Sequence, residues 1–530
     1  MKQQAKEYLQ QALDNPKADF RAGQWESIEQ LLNKKRVLVV QHTGWGKSMV
    51  YFLAAKLLRE QGEGPTLLIS PLLSLMRNQL EAAAKIGLVT RTINSTNPDA
   101  WIQIEKELAA NEVDILLISP ERLANERFVQ NTLAKMSNDI GLFVVDEAHC
   151  ISDWGHDFRP DYRRIGRIIE ALPSNVPVLA TTATANNRVV EDVEQQLGEN
   201  IIVQRGSLVR KSLKLQNINI PDQAARMAWL AKTIPTLTGS GIVYALTKHD
   251  AEQVAKWLVE NNIKAEAYHS DIPNREDGSS VKEDLEQQLL NNEIKVLVAT
   301  VALGMGFDKP DLGFVIHYQR PASVVHYYQQ VGRAGRAVDE AHGVLLCGKE
   351  DEHISDYFIK NAFPPQQDIT KILTALDESD SGLSVPEMQS ILNLTEGQLR
   401  KTLKFLTIES PSPITKIALN KGAAKWQVTV AAASYQVNQE HIDNISNIRR
   451  EEQRQMRDYM ECSTCLMKFL QDALDDTSPT DCGQCKNCKP ELLLDETIDE
   501  ELSQQAKLFL CQSHHKIKPR KQWAKTNMFD

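Results

Sequence analysis

Three short stretches carry residues whose types and spacing could do phosphate chemistry. Thr43-Gly44-Trp45-Gly46-Lys47-Ser48 stands directly after a strand-like apolar run at 37–40 and opens a helical stretch. Glycines there would let backbone amides close on phosphate oxygens, Lys47 would meet the β- and γ-phosphates, and Ser48 would ligand Mg²⁺. Asp146-Glu147-Ala148-His149 ends a second apolar run, at 142–145. Asp146 suits the carboxylate that holds the same metal, and Glu147 the group that orients an attacking water. Far downstream, Gln329-Gln330-Val331-Gly332-Arg333-Ala334-Gly335-Arg336 offers two arginines. Arg333 and Arg336 could reach transition-state charge from a different part of the chain. In this order, the three stretches imply hydrolysis of a nucleoside triphosphate between two lobes.

The elements that would position them follow from the hydrophobic pattern. Apolar runs at 37–41, 66–70, 114–119, 142–146 and 176–181 alternate with helical stretches. A second series occupies 241–245, 265–269, 295–300, 314–318 and 343–347. Uninterrupted apolar strands separated by helices predict parallel sheets covered on both faces. The expected fold class is therefore α/β, with two doubly wound lobes at 1–205 and 206–360 joined near 205–216. Several of the motifs begin where a strand ends, as open α/β sheets require.

After about residue 357 this rhythm stops. Helices are expected at 368–376, 384–392 and 395–406, with Ser384 and Glu387 spaced as a capping box. Strands at 413–417 and 425–430, split by Asn420-Lys421-Gly422, complete the outline of a winged helix over 361–435. Such a domain serves either DNA or protein partners. A helix is expected from 439 to 474, within a cysteine-bearing module at 436–492. The remainder, 493–530, reads as a polar tail ending in a basic stretch, either solvated or phosphate-binding.

Length and composition bound the rest. At 530 residues, three or four domains are expected. Hydrophobic content of 42% and charged content of 25% are ordinary for a globular protein. No run approaches the roughly 18 uncharged apolar residues of a membrane span. Met1-Lys2-Gln3-Gln4-Ala5-Lys6 leads into a polar amphipathic helix and not an apolar signal core, so a cytoplasmic location is expected. The net charge of −10 argues against nonspecific basic coating but not against a local nucleic-acid groove. Five of the eight cysteines fall within 462–488. Successive cysteines Cys482, Cys485 and Cys488 are separated by two residues, and Cys465 can complete a tetrahedral zinc site, with Cys462 a competitor for the fourth position.

Phe20-Arg21-Ala22-Gly23-Gln24 precedes the glycine loop by about twenty residues. A Gln amide can pair with the N6 donor and N7 acceptor of adenine. With it the pattern resembles the RecQ family of superfamily 2 DNA helicases. Ser70-Pro71-Leu72-Leu73-Ser74-Leu75-Met76 resembles that family's motif Ia, and Ser119-Pro120-Glu121-Arg122-Leu123 its motif Ib. Thr182-Ala183-Thr184-Ala185 resembles motif III, and the stretch from Ala299 through Gly304-Met305-Gly306-Phe307-Asp308-Lys309-Pro310 resembles motif V. Cys150-Ile151-Ser152-Asp153-Trp154-Gly155-His156-Asp157-Phe158-Arg159-Pro160 resembles the aromatic-rich loop. Its alternation of Trp154, His156 and Phe158 with charged neighbours also suits stacking on unpaired bases.

The resemblance implies two RecA-like lobes, ATP, Mg²⁺ and Zn²⁺ as ligands, and single-stranded, partially duplex or branched DNA as partner. It implies 3′→5′ polarity and a nucleoid-associated role in repair or recombination. Arg21, Gln24, Thr43, Gly44, Gly46 and Asp308 would join Lys47 and Ser48 at the nucleotide. Arg336, supported by Arg333, would act as an arginine finger. Ser74, Thr182, Thr184, Trp154, His156, Phe158 and Arg159 would couple DNA to the motor. Two rivals stay open: a translocase that does not separate strands, and an RNA helicase with overlapping motifs. The sequence departs from the family at Gln41 and Trp45 of the phosphate loop, in an expanded 274–280 segment, and at Ala337-Val338. The winged-helix candidate also precedes the zinc cysteines, which resembles a RecQ-like branch with atypical C-terminal order.

Overall fold

The computed structural model describes residues 1–71, 80–94, 97–151, 163–184, 186–198, 200–275, 277–303, 307–409, 411–417 and 424–512. Contacts divide the chain into two units. Met1–Lys349 with Arg454–Leu510 forms one, and Glu350–Gln453 is the body of the other.

The first unit holds two parallel sheets. In the first, strands β1 (Arg36–Val40), β2 (Thr66–Ile69), β3 (Thr90–Ile93), β4 (Ile115–Ile118), β5 (Leu142–Val145), β6 (Val178–Thr182) and β7 (Ile202–Arg205) run in the order β3-β4-β2-β5-β6-β1-β7. The continuous apolar runs are explained by burial on both faces. Leu38 and Val40 enter one hydrophobic core while Val37 and Val39 enter another on the opposite face. The second sheet uses β8 (Leu213–Asn219), β9 (Gly241–Tyr244), β10 (Ala265–Tyr268), β11 (Val296–Ala299), β12 (Phe314–His317) and β13 (Ala341–Cys347), ordered β10-β11-β9-β12-β13-β8. Its residues divide in the same way, with Leu297 on one face and Val296 and Val298 on the other.

Three strands escaped the sequence pattern. β3 and β7 are edge strands whose side chains are mostly half-buried, so their apolar signal is weak. β8 begins within the segment read as the joint between lobes, because Lys214, Gln216 and Asn217 interrupt its apolar run. The joint is therefore 206–212.

The second unit contains helices Gln366–Asp377, Val385–Ile391 and Glu396–Ile408 around Ile372, Met388, Leu399 and Leu403. The Ser384–Glu387 capping box forms, and Thr395 with Gln398 makes a second. Strands β15 (Ile414–Ile417) and β16 (Lys425–Val428) pair antiparallel, and a short β14 (Leu383–Ser384) joins β16. This is the winged-helix outline; its turn at Asn420-Lys421-Gly422 lies outside the described residues. Helix Asp351–Lys360 sorts with this unit and not with the second lobe, where 206–360 had placed it.

Two expectations at the C-terminal end are corrected. The helix expected from 439 to 474 is two helices, Gln439–Met460 and Leu466–Ala473. The break frees Cys465 to cap the second helix through its sulfur, which accepts from the Lys468 amide. Residues 493–530 are not simply a polar tail. Gln216 and Leu494 exchange hydrogen bonds at 3.0 and 3.1 Å, and the Trp229 indole donates to the Asp495 carbonyl at 2.9 Å. Helix Glu500–Gln512 then buries Ala506 and Phe509 against the second lobe, Phe509 lying 5.5 Å from the Trp257 ring. The helix hides few apolar residues among many polar ones, so its composition resembles a solvated segment. The basic stretch at 514–521 lies outside the described residues. Phe509→Ala should remove about 3 kcal/mol of packing and lower the melting temperature. Leu508→Ala, at a side chain 63% exposed, should leave it unchanged.

Candidate active site and zinc centre

Strand order brings the first lobe's chemistry together. β6 lies between β5 and β1, with Thr182 paired to Val40 and Ala180 to Val145. The segments leaving these three ends are the phosphate loop, the threonine pair and the acidic turn. Gly44 and Gly46 hold the left-handed conformation at φ +85 and +95. The φ of Gly46 is one that side-chain-bearing residues rarely adopt, so glycine is favoured there, and a Cβ would also displace Gln24 Nε2, 2.8 Å away. Helix Lys47–Glu60 then starts with its amide end at the loop, the usual place for an anion.

A cavity of about 240 Å³ opens between the lobes. Thr43, Gly44, Gly46, Lys47, Ser48, Asp146 and Glu147 line it from one side, and Asp308, Arg333 and Arg336 from the other. Asp146 Oδ1 accepts from Thr181 Oγ1 at 2.6 Å, and Ser70 Oγ lies 3.5 Å from Oδ2. Burial, then the adjacent Glu147 charge, pushes the Asp146 carboxyl up to about 6. Burial also works against the Glu147 charge, but His149 and Lys47 outweigh it and hold that carboxyl below its ordinary value. Glu147 adopts φ 51, an uncommon conformation for a side-chain-bearing residue. Its buried Oε2 lies 3.3 Å from His149 Nδ1 without making a hydrogen bond. Lys47 is lowered chiefly by its burial and donates to the Gln41 carbonyl at 2.8 Å.

From the second lobe, Arg333 donates to the Phe307 carbonyl at 2.9 Å and Arg336 pairs with Asp308. The Nε atoms of both arginines are buried without a hydrogen-bond partner. Arg336 passes over the loop, its Cγ 3.7 Å from where a Gly44 Cβ would be.

Thr182 and Thr184 sit behind this cavity. His149 Nδ1 lies 3.0 Å from Thr182 Oγ1, and Gln329 Nε2 donates to Thr184 Oγ1 at 2.6 Å, linking the lobes. Gln24 and Arg21 do not line the cavity. The Gln24 amide donates to the Trp45 carbonyl at 2.9 Å and accepts from the Arg21 amide at 2.9 Å, while the Arg21 guanidinium binds the Gly44 carbonyl. These contacts brace the loop and use the edges that were expected to read adenine. Trp45 is also turned inward, 5% exposed, with its indole donating to the Ala22 carbonyl, and it does not line the cavity. Ser74, Trp154, His156, Phe158 and Arg159 lie outside the described residues.

Four sulfurs form the second centre. Those of Cys465, Cys482, Cys485 and Cys488 lie within 4.8 Å of one another. The amides of Cys482 and Leu466 donate to Cys465 and Cys485 at 3.2 and 3.3 Å, orienting the sulfurs. Four soft donors in this arrangement fit tetrahedral zinc. Cys462 stands apart, its sulfur directed at Thr464.

Sequence reasoning assigned no role to Thr181, Gln329 or Arg210. Polar residues at the end of an apolar strand could have signalled Thr181. Arg210 carried no signal, because its importance depends on where two lobes meet.

The chain matches the family models for the DEAD/DEAH box helicase over residues 21–193 and the helicase conserved C-terminal domain over 226–338. It is 37% identical over 327 residues to the putative ATP-dependent DNA helicase Q1 of Caenorhabditis briggsae, which covers 60% of this chain and about half, 51%, of that protein. It is 31% identical over 494 residues to the ATP-dependent DNA helicase RecQ of Synechocystis, covering 88% of this chain and 95% of the relative. The chain belongs to the RecQ-like helicases. The structure of the DUF1998 helicase MrfA bound to DNA and AMPPNP superposes with a TM-score of 0.55 at 19% identity, over 80% of this chain and 61% of that one, a likeness of fold. No helix among the described residues of this RecQ-like chain is long and apolar enough to cross a membrane.

Purified RecQ-like chain should contain one zinc. Cys485→Ser should release it and destabilise the fold around it, since binding energy there is folding energy. Cys462→Ser should retain it. Elemental analysis checks both, and zinc lost from the Cys462 variant but kept in Cys465→Ser would reverse the ligand assignment.

Proposed function

We propose that this chain is an ATP-dependent DNA helicase that moves 3′→5′ along single strands and separates duplex or branched DNA in repair or recombination. The observation that carries the reading is the cavity in which Lys47, Asp146 and Glu147 of one lobe face Arg333 and Arg336 of the other. The names of the relatives support DNA as the substrate. The domain order, with the winged-helix unit ahead of the zinc cysteines, supports a place in a RecQ-like branch with atypical C-terminal organisation.

Each residue has a definable task. Lys47 would leave the Gln41 carbonyl to offset charge on the β- and γ-phosphates. Ser48 and Asp146 offer hard oxygen ligands suited to Mg²⁺, and Glu147 Oε2, which makes no hydrogen bond and lies 3.3 Å from His149, would hold an attacking water. When bound, the metal would neutralise phosphate charge. Arg336, with Arg333 beside it, would meet the charge that builds on the transferred phosphoryl group. The Gln329–Thr184 contact carries lobe closure toward the threonine pair, and His149 ties that pair to the acidic turn. The segment 154–159, by its resemblance to the aromatic-rich loop of the family, would report a stacked base to the motor. A cytoplasmic, nucleoid-associated site of action accords with such a substrate.

Lys47→Ala should abolish ATP hydrolysis. Glu147→Gln should keep nucleotide binding while hydrolysis falls by about 10²–10³. ATPase rates with single-stranded DNA, beside unwinding of labelled 3′- and 5′-tailed duplexes, test the reading. DNA-stimulated hydrolysis without strand separation would favour a translocase, and preference for an RNA duplex would overturn the substrate.

A further inference from the structure

The linker between the lobes contains an arginine with unusual partners. Arg210 is 6% exposed. Its Nη1 donates to the Thr43 carbonyl of the phosphate loop at 2.9 Å and to the Gly332 carbonyl at 3.1 Å. Its Nη2 donates to the Ala334 and Gly335 carbonyls at 2.9 and 3.1 Å. Every acceptor it has among the described residues is a main-chain carbonyl. A buried guanidinium without a carboxylate is costly, so a purely structural role would be better served by an apolar residue. The planar fork supplies several donors in fixed directions, which a lysine cannot.

Its neighbours hold it in register. The Leu208 amide donates to Asp476 at 2.8 Å, and the Leu208 carbonyl accepts from the Tyr328 hydroxyl at 2.6 Å. Ser212 Oγ donates to the Gly335 carbonyl at 2.6 Å. Alternate linker residues 208, 210 and 212 are thus pinned. The turn that Arg210 grips, 332–335, carries Arg333 within it and Arg336 directly after it.

We propose that Arg210 is a positioning residue that clamps the arginine-bearing turn of the second lobe to the phosphate loop of the first. On this account lobe closure places Arg333 and Arg336 at the phosphates because one guanidinium fixes the spacing of the two loops. The inference rests on the reading of the cavity as a site of ATP hydrolysis. Arg210 touches neither nucleotide nor metal; it acts through the backbone of the residues that do.

The test uses the full chain, with hydrogen exchange, affinity for a fluorescent ATP analogue, and DNA-stimulated hydrolysis measured together. Arg210→Ala should speed amide exchange in peptides covering 41–47 and 330–337, leaving the zinc region unchanged. Nucleotide affinity should hold while kcat falls about 10²-fold, a loss that a roughly 1 Å misplacement can cause. Arg210→Lys, which retains the charge, should stay slow, and Arg210→Ala should add no further loss to Arg336→Ala. Unchanged exchange in those peptides, full kcat in Arg210→Lys, or an additive loss in the double variant would each overturn the clamp. If wild-type chain failed to hydrolyse ATP, the reading of the cavity would fall, while the exchange data would still decide whether Arg210 joins the two loops.

Discussion

Buried charge balanced across the space between two lobes is the constraint on which this molecule depends. Lys47, Arg333 and Arg336 share one cavity with Asp146, Glu147 and Asp308. Asp308 is exposed; each of the other five would be expensive to bury alone, and each is tolerable because opposite charges lie nearby. The balance is incomplete: Glu147 Oε2, though 3.3 Å from His149 Nδ1, and the Nε atoms of both arginines make no hydrogen bond. Groups left unsatisfied in a buried site are poised for a polyanion and its counter-ion. Neither lobe holds a complete set, so the chemistry requires both.

The supporting structure serves that juxtaposition. Parallel order in the first sheet sets β6 between β5 and β1, which is why Thr181 reaches Asp146 and Thr182 reaches His149. The zinc region does not stand apart. Met456, Tyr459, Leu466 and Leu470 belong to the same core as Leu213, Leu215 and Tyr327 of the second lobe. Its Asp475 accepts from the Asn187 amide of the first lobe at 2.7 Å, and Asp476 holds the linker at Leu208. Metal-dependent order in this region therefore bears on the geometry between lobes.

Much of this was legible in sequence. Alternating apolar runs gave both parallel sheets, because doubly buried strands leave no polar face to obscure them. The residues of the cavity were legible because phosphate chemistry restricts residue type at short spacing, as in Gly44, Gly46, Lys47 and Ser48. Three zinc sulfurs followed from spacing, and the helix break after Met460 shows why the fourth is Cys465 and not Cys462. Gln24 and Trp45 could not be placed from sequence, since an amide able to read adenine is equally able to bind a backbone carbonyl. The packed helix Glu500–Gln512 was hidden by its polar composition. Arg210 was invisible because its acceptors are main-chain carbonyls, which leave no mark on residue type.

The central claim is that the catalytic set is completed by an arginine from the other lobe. Single-turnover ATP hydrolysis by Arg336→Ala, with nucleotide affinity measured on the same sample, tests it most directly. The account predicts retained affinity with hydrolysis reduced by about 10³–10⁵, the effect expected of a lost arginine finger. Hydrolysis at the wild-type rate would contradict it.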